Sequence, residues 1–294
     1  MKTKKTGLLV SALALGMLFA CSKNESVATD NVVTGTLDQP STLNKQCSYV
    51  DGNWSSTSVL SSTIVNSSET AFIRNENSKI AAVWGQSAVP LSFVVDPSNP
   101  GSTYNAISYQ SPRKIYYGEA VYKAALAKGR IVCSMVIAHE FGHQLQYTYG
   151  LPSVTESTAR PNELEADGYA GYYLRKPSGY NATSFTAIAA ASDFAFALGD
   201  YSTSADHHGT PPQRRSAVRL GFLLANPVNG NLTASVFDYN FFYYYNGVLN
   251  GTYKMAKPAN ITPEMDAYMN AHLDELRRIQ SGEMSKAEYG QLAD

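Results

Sequence analysis

The segment His139-Glu140-Phe141-Gly142-His143 limits this chain more than any other stretch. Two His four positions apart lie on one face of a helix, so both imidazoles can reach a single metal ion. Glu140 is turned round the helix and can reach a water beside that ion without ligating it, as in the helix of a zinc hydrolase. The preceding Val136-Ile137-Ala138 gives the helix an apolar face to bury. A tetrahedral catalytic site needs three protein ligands and an open position. A longer signature with Gly at 146 and His at 149 would supply the third ligand downstream. The chain has Gln146 and Tyr149 there, so the ligand comes from elsewhere.

Twenty positions on stands Glu163-Leu164-Glu165-Ala166-Asp167. Glu163 and Asp167 are one turn apart, so Glu163 can be the third ligand while Asp167 accepts the other ring N–H of a ligating His. Glu165 leaves the helix about 200° round from Glu163, and its loss is expected to be nearly silent. A third cluster, Asp206-His207-His208-Gly209-Thr210, holds two of the five His. His208, or else His207, is a candidate donor to the oxyanion formed when a carbonyl is attacked. A purely structural His-Gly turn is the other reading, with Asp206 holding a His or capping the turn. Gln213 and Arg214 are expected to pin the entrance of a helix and to carry no chemistry.

These three segments together, with Asn105-Ala106 and Lys114-Ile115-Tyr116-Tyr117-Gly118 upstream, resemble the bacterial neutral zinc metallopeptidases of the gluzincin group. The resemblance covers about residues 100 to 225. It implies a zincin-like fold, one catalytic Zn²⁺ and hydrolysis of peptide bonds. His139, His143 and Glu163 would be the ligands, Glu140 the base, and Asp167 the support of a ligand. It also implies that substrate joins as an extra strand beside the strand preceding the metal helix, as an exposed sheet edge permits.

Residues 1–20 form an address. Lys2, Lys4 and Lys5 precede an apolar stretch from Gly7 to Ala20, which is too short to span a bilayer and reads as a signal peptide. Leu18-Phe19-Ala20-Cys21 resembles a lipobox, so Cys21 is expected to carry a lipid anchor to the membrane. Losing those lysines would take the formal charge from −1 to −4. Residues 21–46 read as a flexible tether rich in Ser, Thr, Asn and Asp. Residues 47–294 read as one metallopeptidase domain with a helical, aromatic-rich C-terminal part. Cys47 and Cys133 could pair in an oxidising envelope.

With 16% charged residues and no basic block, the chain lacks the footprint of a nucleic-acid binder, and 44% hydrophobic content excludes disorder. Strands are expected at 80–84, 91–95, 106–109 and 114–117, the last two as hairpin arms, and a helical face at 55–68. Helices are expected at 119–128, 131–149, 163–176, 183–198, 213–225 and 263–280. Early strands and late helices argue for an α+β fold, mainly helical with a small N-terminal sheet. Seven aromatics between 237 and 245 fit packing against the metal-bearing helices, or a surface for sugars or a peptide. The expected function is a lipid-anchored zinc metallopeptidase acting on peptide or protein substrates in the bacterial cell envelope. The alternatives are an inactive zincin-like binding lipoprotein and a zinc amidase acting on the cell wall. Oligomeric state is not legible in the sequence.

Overall fold

The computed structural model describes residues 46–48 and 54–293. Cys21, the signal peptide and nearly all of the tether lie outside the described residues. Cys133 is a buried free thiol. Five strands, β1 (Gln46–Ser48), β2 (Val59–Ser61), β3 (Leu91–Val95), β4 (Ala106–Tyr109) and β5 (Lys114–Gly118), form one sheet in the order β1-β4-β5-β3-β2. All neighbours are antiparallel except β3 and β5. The β4–β5 hairpin is the expected one.

Two expectations on the N-terminal side fail. Residues 80–84 end a helix, α1 (Ser67–Val83), whose first turn is capped by Asn66 accepting from the Glu69 N–H at 3.0 Å. Ile73 and Ile80 are two turns apart and both fully buried, so burial of one helical stripe outweighs the strand propensity of the Ile-Ala-Ala-Val run. Residues 55–68 hold strand β2 instead of a helical face, and Val59 there is 45% exposed.

The remaining helices are α2 (Glu119–Leu126), α3 (Arg130–Tyr149), α4 (Arg160–Arg175), α5 (Ala189–Phe196), α6 (Pro211–Leu224), α7 (Ala234–Val248), α8 (Pro263–Ala271), α9 (Leu273–Ser281) and α10 (Lys286–Tyr289). The helix expected at 263–280 breaks at His272, and the one at 183–198 begins only at Ala189. The architecture is α+β. Among the described residues no helix is long and apolar enough to cross a membrane.

Helix α3 lies on one face of the sheet. Ser108 of β4 donates to the Glu140 carbonyl at 2.5 Å, and Gln144 donates to the Tyr109 and Lys114 carbonyls at 3.0 and 3.3 Å. On the other face Trp54, Val94, Ile107, Tyr109 and Tyr116 form a small second core. The strand before the metal helices, β5, is interior, and β4 is paired with β1, so the edge expected to receive substrate is already covered.

Helices α4 and α6 cross backbone to backbone. A methyl on Gly221 would lie 1.9 Å from the Gly168 carbonyl oxygen, and one on Gly171 would lie 2.1 Å from that of Val218. The aromatic run is helix α7. Phe237, Phe241 and Tyr245 stack on one buried face with centroids 5.7 and 5.3 Å apart, while Tyr239 faces outward. Core packing is thus its structural role.

Candidate metal centre

Helix α3 carries His139 and His143 one turn apart, and their Nε2 atoms lie 3.1 Å from each other. Gly142 between them is needed for close approach: its missing Cβ would lie 3.0 Å from the Ala166 Cα on α4. That approach brings Glu163 against both rings, with Oε2 3.3 Å from His139 Nε2 and Oε1 3.3 Å from His143 Nε2. These three buried side chains form a group that could hold a metal ion. Glu165 is not among the ligands, as its helical phase implies.

Each imidazole is oriented from behind. Asp167 Oδ1 takes His139 Nδ1–H at 2.9 Å, and Gln146 Oε1 takes His143 Nδ1–H at 2.9 Å. Both Nε2 lone pairs therefore converge with a carboxylate. Arg214, fully buried on α6, donates to Asp167 through Nε and through Nη2 at 3.1 Å, and its Nη1 lies 3.4 Å from Glu163 Oε2. This corrects the expectation that Arg214 merely pins a helix; Gln213 does so, in a capping box with Thr210. Glu165 is not silent either: fully buried, it accepts from Gln146 Nε2 at 2.9 Å and from the Tyr169 hydroxyl at 2.8 Å. Sequence reading missed Gln146, Glu165 and Arg214. A signal existed, since small and aromatic residues on every side of α4 mark a helix buried all round.

The electrostatics follow from burial. Burial works to raise the Glu163 carboxyl, but the imidazoles of His143 and His139 outweigh it and hold it well below its ordinary value. Burial likewise works to depress His139, yet the Asp167 and Glu163 carboxylates leave it raised. Glu140 is pushed up to about 7, chiefly by burial, with His143 and His139 pulling the other way. Glu165 is raised well above its usual range by burial and by the neighbouring Asp238 carboxyl of α7.

The residues fit a divalent cation. Neither Glu140 carboxylate oxygen has a hydrogen-bond partner among the described residues. Glu140, Glu163 and Asp167 gather three carboxyl groups around the one guanidinium of Arg214, all at most 2% exposed. A tetrahedron with metal–ligand arms of about 2.0–2.1 Å has edges of about 3.3–3.4 Å, close to the 3.1 Å between the two Nε2 atoms and to the 3.3 Å from each of them to its nearer Glu163 oxygen.

The His207-His208 turn is held by Asp200, not by Asp206. Asp200 Oδ1 pairs with His207 Nδ1 at 2.7 Å, and Oδ2 accepts the His208 backbone N–H at 2.8 Å and faces its Nδ1 at 3.3 Å. Burial works to raise Asp200, but His207 and the His208 N–H outweigh it and lower the carboxyl. A methyl on Gly209 would lie 3.1 Å from Leu164 Cδ2 and 3.5 Å from Arg160 Cγ, so the turn rests on the end of α4 that carries Glu163. No family model, no curated protein and no solved structure matches the chain.

Proposed function

We propose that this chain is a zinc-dependent metallopeptidase with a zincin-like fold, anchored through a lipid on Cys21 in the bacterial cell envelope. The single observation that carries the reading is the Glu140 carboxylate, buried without a partner beside the His139, His143 and Glu163 donors. His139, His143 and Glu163 would hold the ion, which when bound lowers the pKa of an adjacent water towards about 7 and polarises a carbonyl.

The chain's own residues do the rest. Glu140 accepts the proton of the attacking water and returns it to the amine as the peptide bond breaks. A carboxyl poised near neutrality suits both halves of that exchange. Asp167 and Gln146 hold the Nδ1 side of each ring, so both imidazoles stay turned with Nε2 toward Glu163. His208, oriented by Asp200, is the assigned donor to the oxyanion, with His207 as its neighbour on the same carboxylate. The centre is buried: His139, Glu140 and His143 expose no surface and Glu163 only 2%.

The test is metal analysis of the purified protein together with an unbiased peptide-cleavage profile, with and without a chelator. Zinc near one per chain and chelator-sensitive cleavage support the reading. A metal-free chain that leaves every peptide intact makes it a binding protein, and intact peptides beside a digested wall preparation make it an amidase.

A further inference from the structure

Helix α3 is held on two sides, and each side fixes different residues. On the α4 side, Asp167 stands behind His139, Glu163 lies against both rings, and Gln146 donates to the Asn162 carbonyl of α4 at 2.8 Å. On the sheet side the grip is on the base itself. Ser108 of β4 donates to the Glu140 carbonyl at 2.5 Å. One turn on, Gln144 spans the mouth of the β4–β5 hairpin, donating to the Tyr109 and Lys114 carbonyls and accepting from Arg113 Nε at 3.1 Å. Tyr147, a further turn along the same stripe, donates its hydroxyl to the Ser108 carbonyl at 3.4 Å.

Packing alone does not call for a serine at 108. It exposes no surface, and its face of the sheet carries Leu91, Phe93, Ala106, Ile115 and Tyr117, all part of the main core. A buried hydroxyl is costly unless bonded, and alanine serves at 106, two residues earlier on that face. Nor does the Glu140 carbonyl require the bond, since inside α3 it faces the Gln144 N–H. The side chain is what lacks support. Neither Glu140 carboxylate oxygen has a hydrogen-bond partner among the described residues, so the backbone of residue 140 sets where the carboxylate stands.

We propose that Ser108 is a positioning residue for Glu140: by gripping the main chain of the base from the sheet, it sets the reach of the carboxylate towards the metal donors. The donors themselves are set from α4, so base and ligands are placed independently. This role rests on the metallopeptidase reading above.

The test is Ser108→Ala in the full chain, measured as kcat and KM on a peptide from the cleavage profile and as the Zn²⁺ dissociation constant from chelator competition. kcat should fall about 10–100-fold, since a misplacement of about 1 Å can cost about 100-fold. KM and Zn²⁺ affinity should not change. Ser134→Ala is the control: it is buried in the same helix and loses a hydroxyl bonded to the Arg130 carbonyl at 3.2 Å, within α3. All three constants should survive it. If Ser108→Ala does not fold, Ser108→Cys, which leaves a weak donor, takes its place with the same expectation. An unchanged kcat overturns the proposal. So does weakened Zn²⁺ binding, or a Ser134→Ala variant slowed as much, because either would make the grip a matter of general stability. A wild type that binds Zn²⁺ and cleaves no peptide sinks the metallopeptidase reading and the base with it, an outcome distinct from an active wild type indifferent to Ser108→Ala.

Discussion

Arg214 grips Asp167 with two nitrogens while a third lies 3.4 Å from Glu163. Removing one partner of a buried pair leaves an uncompensated charge and costs about 3–5 kcal/mol. Arg214→Leu should therefore destabilise the fold by about that much in urea denaturation and weaken metal binding. Arg214→Lys should recover little, because an ammonium lacks the planar fork that spans both carboxylates. Wild-type stability in the leucine variant would contradict this role.

Glu140→Gln should keep the metal and lower activity by about 10²–10⁴-fold, the usual contribution of a general base. It should also change the stability of the metal-free protein. The folded pKa of Glu140, about 7, lies above the ordinary glutamate value of 4.5. Stability is thus full below about pH 4.5 and lost as pH rises through 7, because the buried group must then ionise. Metal-free Glu140→Gln escapes that loss and should be more stable at pH 8 by up to about 3 kcal/mol, a gain that vanishes by pH 4. Thermal unfolding at the two pH values checks it; equal curves at pH 8 would count against a partnerless carboxyl.

Gly221→Ala should be among the worst single changes in the helical half. Its methyl would meet the Gly168 carbonyl oxygen at 1.9 Å, and neither backbone can yield without parting α4 from α6. A loss of about 3 kcal/mol or more is expected, at the upper end for overpacking. Gly101→Ala, whose nearest atom would be Asn99 Oδ1 at 3.8 Å, should stay within about 0.5 kcal/mol. Denaturant midpoints of the two variants make the comparison.

Asp96 gives a second pH window, on the acid side. Thr57 first, then Ser102 and the Asn99 and Ser98 N–H groups, outweigh burial and hold its carboxyl at about 2. A depressed pKa contributes stability above the ordinary carboxylate range, lost as pH falls from about 4 through 2. Asp96→Asn should flatten the acid limb of the unfolding curve between those values. An unchanged limb would show that the loop does not depend on this charge.

The grouping of His139, His143 and Glu163 was legible because i, i+4 spacing is geometry: His139 with His143, and Glu163 with Asp167, needed only the helical period. The period also placed Glu165 correctly, away from the donors, but the inference that it was dispensable failed. On a helix buried all round, pointing away from one neighbour means pointing at another, here Gln146 and Tyr169. Arg214 was missed for a related reason. Its role depends on a charge imbalance that appears only once α4 and α6 touch. Ile80 misled because its local propensity favoured a strand, while Asn66 and the Ile73–Ile80 interval favoured a helix.

The two outermost strands, Gln46–Ser48 and Val59–Ser61, come from one short stretch of chain, yet they border opposite sides of the sheet. With strands about 4.8 Å apart, the two borders lie about 19 Å from each other. A truncation that removes everything through Ser61 would therefore bare two unpaired backbones at once, those of β4 and β3. Exposed edges recruit other chains, so the shortened protein should self-associate instead of persisting as a smaller monomer. Strands β1 and β2 act as a selvedge, keeping the cloth of the sheet from fraying on either margin.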